Sequence, residues 1–128
     1  MQAGGVSPDE RDKAARKQVF ASRWTTSDGK WSAPKQLSND LGDATGPRVG
    51  LDASGNALAV WLQATPGPGG MRQEVWTARY VAGDGWQAAT PRSNQGAVSA
   101  PRLALDARGR GFVMWREMVR GVVFQRFE

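Results

Sequence analysis

The chain writes one phrase twice: residues 51–61 read LDASGNALAVW and residues 105–115 read LDARGRGFVMW, fifty-four positions further on. The neighbouring segments recur with it, in the same order. VFASRW from Val19 matches VWTARY from Val75 and VVFQRF from Val122. TSDGKW, ending at Trp31, matches AGDGW, ending at Trp86, and PRVG from Pro47 matches PRLA from Pro101. Several anchors in one fixed order define an internal repeat of about fifty residues, the signature of stacked supersecondary units.

Each unit reads as short antiparallel strands. PRVGLD is a strand with Val49 and Leu51 on one face, and Ala53-Ser54-Gly55-Asn56 has the composition of a tight reversal. ALAVWLQ returns as a second strand, with Leu58, Val60 and Leu62 on one face and Ala57, Ala59 and Trp61 on the other. Both faces are apolar, so this strand expects cover on both sides. EVWTARYV forms a third strand, and Gly83-Asp84-Gly85 turns the chain into a weaker fourth that opens at Trp86.

Four such strands make a sheet that cannot hide both faces by itself. Stacking sheets around an axis hides them, which predicts an all-β fold of two propeller-type four-stranded antiparallel blades. A two-sheet sandwich also has short strands at regular spacing and is the alternative, although it does not require the sequence to repeat. The strand inventory from Val19 runs third, fourth, first, second, third, fourth, first, second, third. That is about nine strands, or two blades and one spare, with the start permuted by half a blade. The domain therefore spans 19–128. Residues 1–18 form a polar N-terminal segment with a short helix over 7–17, where Ser7 caps, Pro8 fits the first turn and Glu10 completes a capping box. Segment 64–73, ATPGPGGMRQ, reads as a surface loop.

The pattern P-x-V-x-L-D-x-x-G-N-A-x-A-V-W, followed by V-x-x-x-R-Y and G-x-G-W, resembles the tandem repeats of bacterial extracytoplasmic β-propeller proteins. The turns TSDGKW and AGDGW are similar to the Asp-box turn of sialidase-like blades, S-x-D-x-G-x-x-W, but both are shorter and Gly83 stands where that turn has serine. The two-blade arrangement is reminiscent of small oligomeric propeller lectins. The resemblance covers residues 19–127 and implies an extracytoplasmic location, periplasmic or secreted, with the export signal absent from this sequence; cytoplasmic residence is the other reading. Such blades serve binding proteins, lectins and hydrolases alike, so the resemblance implies a fold more firmly than an activity.

Composition narrows the chemistry. The 128 residues include no cysteine and no histidine, which removes disulfides, thiolate metal sites and the usual general base. No metal site or cofactor is expected, and no apolar run approaches the roughly 20 residues of a membrane span. The formal charge is +5, from 17 Lys and Arg against 12 Asp and Glu. The basic residues are scattered among acids, so nucleic acid is not the expected partner. The one tyrosine, Tyr80, aligns with Trp24 and Phe127, a substitution pattern that suits packing and not nucleophilic attack. Candidate acids such as Asp28, Asp84, Glu74 and Glu117 show no pairing by spacing.

The expected function is a non-catalytic binding or assembly module that completes its fold by oligomerisation or by docking to a partner protein. Two blades leave open ends, and a longer array, several copies in one ring, or a different protein would each cover them. The candidate assembly residues are Val19, Ala21, Arg23, Phe112, Met114, Val122 and Phe124. In a ring, Val19–Arg23 of one copy completes the sheet begun by Phe112–Trp115 of the next, and Val122–Phe127 competes for that place. The alternative is a carbohydrate-binding lectin with sites repeated between blades, using Trp31, Trp86, Arg23 and Arg79 beside Asp28 and Asp84. A fragment of a propeller glycosidase is the third reading.

Overall fold

The computed structural model describes residues 16–93, 97–118 and 121–127, the last of these by backbone alone. All regular structure in it is antiparallel β, and no helix is long and apolar enough to cross a membrane among the described residues. The helix expected over 7–17 lies outside the described residues, apart from Arg16 and Lys17. Those two are tied to the loop before Ala44: the Lys17 N–H donates to Asp43 Oδ1 at 2.8 Å, and the Arg16 guanidinium to the Asp40 carbonyl.

Three layers follow one another along the chain. The first is an interrupted hairpin in which β1 (Phe20–Ala21) and β2 (Trp24–Thr25) run out, and β3 (Lys30–Trp31) and β4 (Lys35–Gln36) run back, pairing as β2 with β3 and β1 with β4. The second is a five-stranded sheet of β5 (Ala44–Leu51), β6 (Ala57–Gly67), β7 (Gly70–Val81), β8 (Gly85–Trp86) and β9 (Thr90–Pro91), in which β8 and β9 both pair with β7. The third comprises β10 (Val98–Leu105), β11 (Gly111–Glu117) and β12 (Gly121–Phe127). Merging the interrupted segments recovers the nine strand positions expected from the repeat, and β12 settles on β11.

The repeat holds at the level of single hydrogen bonds. Trp24 pairs with Trp31 as Tyr80 pairs with Trp86, and Phe20 with Gln36 as Trp76 with Pro91. Ser38 Oγ accepts from the Val19 N–H at 2.9 Å, and Ser93 Oγ accepts from the Val75 N–H at 2.9 Å. These hydroxyls stand in for the ladder partner that an outer strand, broken in two, no longer supplies. The 52–56 and 106–110 reversals are also alike. Each turns on a glycine at positive φ, 85° at Gly55 and 84° at Gly109, where a side chain would be strained.

The central strand β6 is covered on both faces, as its two apolar stripes require. Leu58 and Val60, with Val75, are buried against Val98, Val113 and Trp115 of the third layer. Ala59 and Trp61, with Ala44 and Ala78, are buried against Val19, and Leu37 packs beside them. Counterparts recur in the two cores: Val75, Val98, Val113 and Trp115 in one correspond to Val19, Ala44, Ala59 and Trp61 in the other. Gly50 lets the first strands of adjacent layers approach, since a Cβ there would lie 3.1 Å from Leu103 Cδ1.

Segment 64–73 departs from the expected loop: β6 and β7 continue through it in register as far as Gly67 and Gly70. Polar contacts across and along the strands hold this arm. Thr65 Oγ1 donates to Glu74 Oε1 at 2.9 Å, and Arg72 pairs with Glu74 Oε2 at 3.3 Å.

One position in the repeat is mismatched. Gln63, fully buried, accepts from Trp61 Nε1 and donates its amide to the carbonyls of Gly42, at 3.0 Å, and Ala64, at 3.2 Å. Its counterpart Glu117 accepts from Trp115 Nε1 at 2.9 Å, but its buried Oε2 has no hydrogen-bond partner among the described residues. Restoring the amide with Glu117→Gln is expected to raise stability by about 1–3 kcal/mol, the cost of an unmade buried hydrogen bond. Chemical denaturation checks this through a higher midpoint at unchanged slope.

Candidate functional site

Three features stand apart from the packed cores: the turns built on aspartate, an aromatic strip along the outer strands, and the bare flanks of the stack. The turns are self-contained. Asp52 Oδ1 accepts from the N–H groups of Ser54 and Asn56, both at 2.9 Å, and Asn56 Nδ2 donates to its Oδ2 at 2.9 Å. Asp106 does the same with the N–H groups of Arg108 and Arg110, and Arg110 closes on its Oδ2 at 2.9 Å. The two turns meet where the Ala53 N–H donates to the Ala107 carbonyl at 2.9 Å. A crevice of about 10 Å³ beside them, lined in part by Asp52, Asn56, Arg79 and Gly109, has room for one water. Equivalent Arg and Asp at strand ends could be read as ion pairs fixing these turns. Instead Arg48 and Arg102 donate to the carbonyls of Pro47 and Pro101, and the aspartates are held by residues two and four further on.

These bonds lower both carboxyl pKa values. The Asn56 side-chain amide is the largest cause at Asp52, followed by the Asn56 N–H; at Asp106 the Arg110 N–H comes first, and partial desolvation opposes the shift at both. Each carboxylate completes a turn, and neither stands in a cluster that could hold a metal among the described residues.

The aromatic strip splits unequally. Trp24 and Trp31 are both exposed, with ring centroids 5.5 Å apart and planes inclined at 57°. Their counterparts Tyr80 and Trp86 make an edge-on pair at 5.5 Å, but both are half-buried, with Trp86 packed against the Trp61 core. Arg23 Cζ lies 5.2 Å from the Tyr80 ring centroid, a cation–π contact between the first and second layers. The structure thus brings Arg23 together with Tyr80 and Trp86, and leaves Trp31 on the open side of the first layer. Arg79 pairs across the ladder with Leu58, away from that strip. Asp28 and Asp84 serve their own turns: Asp28 Oδ1 accepts from the Lys30 N–H at 3.2 Å, and the Asp84 N–H donates to the Val81 carbonyl at 2.9 Å.

The assembly candidates divide as well. Val19 is buried in the chain's own core, so it presents nothing to a second molecule, and Ala21 is half-buried. The strand addition expected of Val19–Arg23 to β11 is one between copies, and a single chain does not test it. β12 occupies that edge, and Val19 is bonded through its carbonyl to the Leu37 N–H at 2.8 Å. Phe112 and Met114 are exposed, on the face of β11 opposite Val113 and Trp115. Val122 and Phe124 pair by backbone with Arg116 and Met114, and their side chains lie outside the described residues.

Sequence reasoning missed the exposed apolar surface on β5, where Val49 and Leu51 stand open on the same face as Ala59 and Ala57. The signal was available in the strand inventory. A first layer that opens at the third position offers no first or second strand to cover the start of the central sheet.

The chain matches no known protein family, no curated protein and no solved structure.

The aspartate turns carry a pH dependence of stability. A carboxyl pKa lowered by folding contributes stability that is complete above the unfolded value and is lost as pH falls through the folded one. The protein is therefore expected to lose stability on acidification below about pH 4, the unfolded Asp value. The double variant Asp52→Asn, Asp106→Asn keeps a side-chain oxygen that accepts from the backbone N–H groups of each turn and is expected to flatten that acid limb. Melting temperatures measured from about pH 2.5 to about pH 6 check it.

Proposed function

We propose that this chain is a non-catalytic binding and assembly module, made of propeller-type blades, that completes its fold by association through its two uncovered flanks. The observation that carries this reading is that one sheet-to-sheet contact is made twice inside the chain, while matching surfaces stay bare at both ends of the stack. A stack of sheets apolar on both faces has no natural stopping point, and an exposed apolar patch of that kind is a docking surface. Four antiparallel strand positions per unit, repeated about every fifty residues and stacked face to face, support the blade description. The resemblance to extracytoplasmic propeller repeats supports a location in the periplasm or outside the cell.

A carbohydrate-binding role is the second reading, favoured by the exposed Trp24–Trp31 pair, since an open indole face stacks on a sugar ring. Its partner side chains are sparse. Arg23 is engaged with Tyr80, and Asp28 with its own turn.

Light scattering at rising protein concentration, together with binding of a fluorescent apolar dye, tests the assembly reading. The expected result is association with concentration, or dye bound by the monomer and released when a partner covers the flanks. A monomer that binds no dye at any concentration would overturn it. A glycan array with Trp24→Ala and Trp31→Ala controls separates the lectin reading, which requires binding that both substitutions abolish.

A further inference from the structure

We propose that the partner is a second copy of this chain, docked head to tail so that Phe112 and Met114 of one copy cover Val49 and Leu51 of the next. This rests on the assembly reading and names its partner and its contact.

The chain contains the template. In the contact between its second and third layers, Leu58 and Val60 of β6 form a buried core against which Leu103 and Leu105 of β10 pack. The fifty-four-residue repeat supplies a counterpart for each. Phe112 and Met114 occupy on β11 the places of Leu58 and Val60 on β6, opposite Ala104 and Arg102 as those are opposite Gly50 and Arg48. Val49 and Leu51 occupy on β5 the places of Leu103 and Leu105 on β10, opposite Ala59 and Ala57 as those are opposite Val113 and Gly111.

Both counterpart pairs are bare. Phe112 is 52% and Met114 38% exposed; Val49 is 64% and Leu51 69% exposed. They stand on opposite faces of the stack, since Phe112 and Met114 face away from the second layer and Val49 and Leu51 face away from the third. Each copy therefore carries both halves of the contact that Leu58 and Val60 make with Leu103 and Leu105 inside the chain. A shallow depression lined by Ala104, Leu105, Asp106, Arg110, Gly111 and Phe112 borders one half.

The contact joins two different surfaces, so it is heterologous and propagates into a ring or a filament. β12 and Phe20–Thr25 hold the same third position in the repeat, so in the docked pair one of them lines the outer edge of β11. Exposed Arg102 and Arg116 lie on the docking face, and with a formal charge of +5 on each copy, association is expected to strengthen as salt screens the repulsion.

Two charge-blocked variants test the geometry. Phe112→Glu removes one half of the contact and Leu51→Glu the other, and both substitutions fall at exposed positions, so each variant is expected to keep the wild-type circular dichroism spectrum and melting temperature. In sedimentation velocity, wild type associates with concentration, and each variant alone associates about tenfold more weakly or worse, a change of at least 1.4 kcal/mol. An equimolar mixture restores a one-to-one dimer, because one intact half remains on each partner. The chain has no cysteine, so Leu51→Cys and Phe112→Cys offer single attachment points. A short bis-maleimide is expected to link the two variants to each other when mixed, and to link neither to itself.

Strong association by either Glu variant alone, or cysteine linkage within one variant, would mean a symmetric contact and overturns the head-to-tail proposal. A wild type that stays monomeric yet binds apolar dye also overturns it, while leaving the assembly reading to a different protein. A wild type that neither associates nor binds dye overturns both.

Discussion

A sheet that is apolar on both faces has to be covered on both. β6 imposes that condition here: its alternating residues place Leu58 and Val60 on one side and Ala59 and Trp61 on the other, and all four are buried. The rest of the architecture answers it. The first layer supplies Val19 and Leu37 to the tryptophan side, and the third supplies Val98, Val113 and Trp115 to the aliphatic side. Truncating one of the buried indoles to alanine would forfeit about 3–5 kcal/mol, a large part of a small domain's stability. Covering layers built from the same repeat inherit the same two-sided character, which passes the problem outward to the flanks.

The repetition extends below the strands to the polar groups that hold them. Ser38 and Ser93 cap equivalent N–H groups, the two aspartate turns bind equivalent donors, and Trp61 and Trp115 each donate to the residue two further on. Where the copies diverge, the difference is local and chemical. Asn56 contributes a neutral amide where Arg110 contributes a cation, and Gln63 satisfies two carbonyls where Glu117 leaves an oxygen without a partner among the described residues. Divergence of this kind leaves the backbone register intact, because the ladders on either side are the same.

Function follows from what the stack leaves open. Of the aspartates that a sialidase-like resemblance would single out, Asp28 accepts from the Lys30 N–H of its own turn. The arginine nearest the aromatic strip is consumed by Tyr80. Among the described residues, Val49, Leu51, Phe112 and Met114 and the Trp24–Trp31 pair stand exposed. The proposed association takes burial of this apolar area as its driving force.

The sequence by itself determined the repeat, the strand positions and their turn residues, and the two-sided burial of β6, because these depend on periodicity and local conformational preference. Trp61 and Trp115 could be assigned to equivalent cores for the same reason. Tertiary structure alone decided which copy of each repeated residue is covered. Trp86 is half-buried and Trp31 is open because only Trp86 has a layer in front of it. Val19 turned out to be core, and Val49 and Leu51 surface, because the first layer reaches across the outer half of the central sheet and not its inner half. The extension of β6 and β7 through 64–73 likewise hid behind its prolines and glycines, since Thr65 and Glu74 bond across that arm only once the two strands lie side by side.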